Sequence, residues 1–302
     1  MQEPFMNCFT ERTDESILNK IATTAEPEKE REEPRSNAHS GEAIPTWSDS
    51  RPAAKNRHGW PSRLRSYFIL NPLIWAYTLI LGTLSLLSSF VDRNGRIQHN
   101  FARLWSWLIM KTILSPVTVA GMEYDKIGAS KPRVYAVTHA SALDIPILYV
   151  YLPFQFRIIF KSELLAYPFI GWHLKRSGQV CINQQNPAAS IGAVKSALRS
   201  LRQGMPLVIF PEGGRTRDGE IQPFLPGAFF LAIKAQADIV PVALVGTFDL
   251  LPMNTYHIKC QSLEMRVGTP VSTAGLTLRD TDAVTAKVKA AIEALHSAPK
   301  TT

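Results

Sequence analysis

Leu207-Val208-Ile209-Phe210-Pro211-Glu212-Gly213-Gly214-Arg215-Thr216 is the stretch that decides how this chain is read. Four apolar residues end abruptly in a proline, a carboxylate, two glycines and an arginine. Adjacent glycines let a backbone take positive φ and approach a ligand closely. Arg215 offers a planar fork that matches a phosphate or a carboxylate. A strand running into such a turn makes the carboxyl end of a sheet an anion pocket. Taken alone, the same residues describe an ordinary surface turn.

A second stretch changes that balance. Arg133-Val134-Tyr135-Ala136-Val137-Thr138-His139 reads as a strand running into His139, and Asp144 follows five residues later. Pro146 fits only the first turn of a helix, which puts a helix start near Asp144. The intervening residues, Ala140 to Leu143, then form a loop that can fold back so that the carboxylate meets an imidazole nitrogen. A carboxylate in that place fixes the tautomer and raises the basicity of the other nitrogen, as proton abstraction requires.

Working outward, apolar runs at 133–137, 156–160, 178–182, 206–210, 239–245 and 263–267 alternate with helical patterns. One helix is marked by Asn186 as N-cap, Pro187 at its first position, an apolar face of Ile191, Val194, Leu198 and Leu201, and Gly204 as its stop. Others are predicted from Pro226 to Ala237 and from about Thr281 to His296. Such alternation predicts an α/β fold with a largely parallel or mixed sheet flanked by helices. Ligands bind such sheets at the carboxyl ends of strands, where His139 and Glu212 both fall.

With these pieces in order, the chain resembles the glycerolipid acyltransferase family, whose best-known members are 1-acylglycerol-3-phosphate acyltransferases. The resemblance rests on His139-Ala-Ser-Ala-Leu-Asp144, Gly178-x3-Ile182, Phe210-Pro-Glu-Gly-Gly-Arg-Thr216 and Val240-Pro241-Val242. The segments Lys161-Ser-Glu163-Leu164, Pro168-x2-Gly171-Trp172 and Phe224-x2-Gly227-Ala228-Phe229 match as well. It implies an enzyme that moves a fatty acyl group from acyl-CoA or acyl-carrier protein to the free hydroxyl of 1-acyl-glycerol-3-phosphate, giving phosphatidic acid. His139 is then the general base and Asp144 its orienting partner. The resemblance places Glu212, Gly213, Gly214, Arg215 and Thr216 in acceptor binding, with Lys161 as a second phosphate contact. No metal and no bound cofactor are implied. Ser141, inside the first motif, is read as a hydrogen-bonding loop residue rather than a nucleophile.

One departure bears on the acceptor. The family's second motif usually reads Gly-x3-Ile-x-Arg, and Gln184 stands where that arginine would be. The alternative acceptors are therefore another lysophospholipid, a lyso-ornithine lipid or glycerol 3-phosphate. An acyl hydrolase and a silent lipid-binding protein are the readings from other classes. The intact His139–Asp144 pair argues against silence, and the lack of a Gly-x-Ser-x-Gly elbow argues against a serine hydrolase.

The rest of the chain concerns location. Residues 1–58 are polar, with the run Glu26-Pro-Glu-Lys-Glu-Arg-Glu-Glu-Pro34, and read as a disordered tail without a signal peptide. Ser66 to Val91 is a 26-residue run without a charge, whose best helix is Leu73 to Phe90 because Asn71-Pro72 weakens the first turns. Phe101 to Leu114 is amphipathic, with Trp105 and Trp107 placed as interfacial anchors. Residues 61–115 are thus expected to be a membrane-binding helix pair, and 120–298 the acyltransferase domain. Basic residues flank the apolar run on both sides, which suits a re-entrant pair with the catalytic domain on the cytoplasmic side. The chain carries a formal charge of +8, and all of that excess lies after residue 60. Such a body suits an anionic lipid surface, a phosphate-bearing lysophospholipid and an acyl-carrier protein. No stacking-aromatic or recognition-helix pattern supports nucleic acid. Cys8, Cys181 and Cys260 lie too far apart for a disulfide scaffold or a zinc motif.

Overall fold

The computed structural model describes residues 59–92, 94–126, 132–183 and 190–299. The 1–58 tail, Gln184, Asn186 and Pro187 lie outside the described residues. Within them a seven-stranded sheet forms the frame: β1 (Val117–Ala120), β2 (Arg133–Val137), β3 (Arg157–Lys161), β4 (Val180–Ile182), β5 (Leu207–Ile209), β6 (Asp238–Val245) and β7 (Leu263–Val267). Their spatial order is β1-β7-β6-β2-β5-β3-β4. Every pairing is parallel except β6 with β7, so the sheet is mixed.

Parallel strands joined by helices are covered on both faces, and β2 shows it: all five of its residues are buried. Tyr135 and Val137 join one core cluster, and Val134 and Ala136 the other. The first cluster lies under α2 (Asn71–Ser88), α3 (Arg96–Ile113) and α4 (Asp144–Tyr151). The second lies under α6 (Ile191–Arg202), α7 (Phe230–Ala235) and α9 (Thr281–Ser297). Pro241 sits inside β6 without breaking it. Its carbonyl accepts from Gly268 N, so the proton-less nitrogen faces β7, and the ladder to β2 is spared.

The apolar N-terminal segment departs from the sequence expectation. Helical structure begins at Trp60 rather than Leu73, as α1 (Trp60–Arg65), a π turn (Ser66–Leu70) and then α2. Pro72 has no N–H, and the wider turn absorbs that loss: Asn71 N bonds five residues back to Ser66 O. The Asn71 side chain caps the same carbonyl. α3 begins at Arg96, earlier than Phe101, and its inner face is core: Ala102, Ile109, Met110 and Ile113 are all buried. Trp107 is exposed, but Trp105 is no interfacial anchor. Its indole N–H donates to Thr78 Oγ1 at 3.0 Å and ties α3 to α2.

Two further differences are local. β1 was not expected as a strand, yet it pairs with β7 through all four residues. The helix predicted from Pro226 is 3₁₀ over Pro226–Phe229 before α7 begins.

Candidate active site

β2 ends at Val137, and His139 lies two residues past it, where the sheet's carboxyl ends open. α4 begins at Asp144, and Asp144 is fully buried. Its Oδ2 accepts from His139 Nδ1, Ala140 N and Ser141 N, each at 2.8 Å. Three donors on one oxygen hold the carboxylate in place and fix the imidazole with its Nδ1 toward Asp144. Phe210 stacks on the imidazole at 4.0 Å between ring centres. One nitrogen is bound and one face is covered; Nε2 takes part in no hydrogen bond among the described residues. That nitrogen is the base the site can offer.

Ser141 is also fully buried. Its hydroxyl donates to Leu251 O at 2.9 Å and accepts from Leu143 N. It braces the loop between base and carboxylate and faces no reacting atom.

Beside this pair stands the glycine turn after β5. Gly213 has φ of +70°, a conformation any side chain would strain, and its N–H closes the turn onto Phe210 O. A methyl group at Gly214 would lie 3.8 Å from Lys161 Nζ, so the exposed ammonium at the end of β3 hangs over the turn. Arg215 is half-buried beside it and makes no ion pair among the described residues. The Lys161 ammonium and the bare backbone of the two glycines therefore stand together, with Arg215 next in the chain, a composition suited to a phosphate.

Glu212 and Thr216 sit within the same turn but face inward. Glu212 Oε1 accepts from His139 N at 2.8 Å, and Oε2 accepts from Gln222 N at 2.9 Å. Burial raises its pKa, and those two backbone N–H groups pull the other way. Thr216 N donates to His139 O at 2.9 Å, and its buried hydroxyl bonds Asp218. Both residues tie the glycine turn to the strand end that carries His139. Gln222 and Phe210 complete that tie, and sequence reasoning missed both. Phe210 reads as the last residue of an apolar strand, and no spacing rule marks a backbone N–H such as that of Gln222. Among the described residues, no group of three or more His, Cys, Asp and Glu is arranged to hold a metal ion.

The segment that carries these residues is also the one that matches known proteins. The family model described as Acyltransferase matches residues 116–245. A chloroplastic 1-acyl-sn-glycerol-3-phosphate acyltransferase of Arabidopsis thaliana is 30% identical over 223 residues, 72% of this chain and 61% of that protein. The 1-acyl-sn-glycerol-3-phosphate acyltransferase of Helicobacter pylori is 32% identical over 51% of this chain and 67% of its own length. This chain spans 48 to 61% of the length of three plant relatives. The crystal structure of the 1-acyl-sn-glycerophosphate acyltransferase of Thermotoga maritima superposes with a TM-score of 0.60 at 22% identity, covering 80% of this chain and 97% of that one. That likeness speaks for the fold alone. Joined to the curated relatives, it leads to one conclusion: the chain belongs to the 1-acyl-sn-glycerol-3-phosphate acyltransferase family.

Proposed function

We propose that this protein is a membrane-bound O-acyltransferase. It transfers a fatty acyl group from acyl-CoA or acyl-carrier protein to the free hydroxyl of 1-acyl-glycerol-3-phosphate, and phosphatidic acid is the product. The observation that carries the reading is the His139 Nδ1–Asp144 contact of 2.8 Å, which leaves Nε2 free beside a glycine turn that the Lys161 ammonium overhangs. Nε2 takes the hydroxyl proton as the oxygen attacks the thioester carbonyl. The C–S bond then breaks, and the thiolate recovers the proton from the imidazolium. A general base of this kind is worth about 10²–10⁴-fold. The buried Asp144 stabilises the charged imidazole, and Arg215 with Lys161 holds the acceptor phosphate. A thiolate leaves readily, so no covalent acyl-enzyme is needed.

Membrane attachment follows from the outer surface of α1 to α3. The helical rod Trp60–Ser88 is apolar enough to cross a bilayer, yet its inner side is pinned to the globular domain. Ser62 bonds His257, Ser66 bonds both polar groups of Ile258, Tyr77 bonds Thr112 and Ser85 bonds His173. A helix tied down at both ends does not cross the bilayer by itself. It lies in one leaflet, with Phe68, Trp75, Ile80, Leu84 and Leu87 facing lipid. The basic body suits the anionic cytoplasmic leaflet.

Gln184 in place of the family's arginine favours one second reading, in which the acceptor lacks the phosphate. The test is turnover of purified protein on a panel of lyso-lipids with acyl-CoA and acyl-carrier protein donors. Lysophosphatidate is the expected best acceptor; much faster acylation of a phosphate-free lyso-lipid overturns that choice.

A further inference from the structure

A groove of about 470 Å³ runs between α2 and the turn that precedes α5 (Ile170–Arg176), on the side where α2 is exposed. Its walls are Trp75, Ala76 and Leu79 from the helix and Tyr167, Phe169 and Ile170 from the turn. Almost nothing polar lines it. The turn is built rather than loose. Phe169 holds φ of +60° and ψ of −54°, a conformation that costs a side-chain-bearing residue about 1–3 kcal/mol unless its surroundings impose it. They do so here. Gly82 of α2 lets Phe169 approach so closely that a methyl group at Gly82 would sit 3.2 Å from its Cβ. One turn further on, Ser85 Oγ bonds His173 Nδ1 at 2.8 Å.

One wall of the groove is continuous in the chain with Lys161, and another with the exposed face of α2. Upstream of Tyr167, the 3₁₀ segment Ser162–Ala166 leads directly to Lys161, whose ammonium hangs over the glycine turn. Five residues at a rise of about 2 Å each separate the cationic pocket from the groove by roughly 10 Å of chain. On its other side the groove opens onto Trp75, Leu79 and Ile80, all more than half exposed and all on the helix we place in lipid.

We propose that this groove seats the acyl chain already present on the acceptor, so that a lysophospholipid moves laterally from the leaflet with its chain along α2 and its phosphate at Lys161 and Arg215. The inference rests on the function proposed above and names a subsite for it. The acceptor is the substrate that dissolves in the bilayer and carries one chain and one anionic head. A cationic end and an apolar end, joined by a short rigid segment, match that shape. The donor thioester carries its bulky polar group in water and has no reason to arrive through a groove that opens on lipid.

The test uses the full chain in phosphatidylcholine vesicles and a 1-acyl-glycerol 3-phosphate with a diazirine at the end of its chain. Photolabelling is expected within 75–79 and 167–170 and is expected to be competed by unlabelled oleoyl lysophosphatidate. Kinetics give an independent arm. Ala76→Trp narrows the groove and is expected to raise KM about tenfold for palmitoyl and oleoyl acceptors, which corresponds to about two methylene groups denied burial. kcat, the KM of an octanoyl acceptor and the donor chain-length profile stay unchanged. Leu79→Ala, at an exposed position, widens the groove and shifts acceptor preference toward bulkier chains if Ala76→Trp fails to fold. Labelling that phosphatidylcholine competes equally well overturns the proposal and leaves bulk lipid as the occupant. A changed donor profile with an unchanged acceptor KM overturns it in favour of the donor chain. If wild-type protein does not acylate lysophosphatidate, the proposed function fails, while the photolabel still decides the groove.

Discussion

At the scale of residues, the proposed site separates into groups expected to act on substrate and groups that hold those groups still. His139 and Asp144 were legible from spacing, since a strand end and a Pro-marked helix start leave a loop that can bring them together. His139→Ala is expected to abolish acyl transfer, and Asp144→Asn to reduce kcat by at least a hundredfold, with circular dichroism unchanged. Near-normal turnover by folded His139→Ala protein removes it as the base. Glu212 and Arg215 stand three residues apart, and the sequence put both in acceptor binding. The structure gives them different surroundings, because Glu212 spends both oxygens on backbone N–H groups of His139 and Gln222. Glu212→Gln can accept only one of those bonds and turns an NH₂ toward the other donor. It should lower kcat and melting temperature and leave acceptor KM nearly as it was. Arg215→Ala should instead raise acceptor KM, with a loss in kcat/KM of about 2–3 kcal/mol for a charged hydrogen bond. Equal effects of both variants on KM would reject this division of labour. Residue type and position could not reveal it, because a carboxylate that binds and a carboxylate that braces look alike in sequence.

Elements were legible where their pattern was local. Six of the seven strands were visible as apolar runs, since central parallel strands are buried on both faces and need no alternation. β1 was missed because four residues at a sheet edge carry too little pattern, and its partner β7 lies far along the chain. The start of the N-terminal helix was missed for the opposite reason: Asn71-Pro72 reads as a break, and the π turn that accommodates it depends on Ser66 and the 256–258 loop. The packing of α3 and α5 carries a pH consequence. Burial, aided by the charge of Arg103, lowers the pKa of His99 on α3 to about 4, and burial lowers that of His173 on α5 to about 4. Unfolded histidines bind protons near pH 6.5, so the unfolded chain gains protons first as the pH falls. Stability contributed by keeping these rings neutral is complete above pH 6.5 and drains away toward pH 4, by up to about 3 kcal/mol for each ring. Urea titrations in detergent across that window should show the loss. His99→Phe, which keeps the ring contacts with Tyr149 and Phe156, should flatten the slope. A slope identical to wild type would show that His99 does not titrate on unfolding.

For the molecule as a whole, the question is what keeps it at a membrane, and the two helices of the N-terminal pair answer differently. The sequence gives both an apolar face. In the structure α3 spends its face on the sheet through Ile109, Met110 and Ile113, while α2 leaves Ile80, Leu84 and Leu87 exposed. The surface left for lipid is mainly that of α2, with Ile97, Leu104 and Trp107 of α3 also exposed. Removing residues 1–58 should therefore leave the protein in the membrane fraction. A chain that starts near residue 118 strips the cover from one face of the sheet and should aggregate, which says nothing about lipid. The decisive variant keeps the fold and changes only the outer surface. Ile80→Lys with Leu87→Lys places two charges seven residues apart on one face of α2, at positions 57% and 60% exposed. Each apolar side chain lost from lipid removes about 1.5–3 kcal/mol of transfer energy. Vesicle sedimentation should show partitioning weaker by roughly a hundredfold or more, at 1.4 kcal/mol per factor of ten, with the melting temperature little changed. The basic body still attracts anionic leaflets, so residual binding should become sensitive to salt where wild-type binding is not. Wild-type partitioning by the double variant would assign attachment to another surface and remove α2 as the lipid-facing helix.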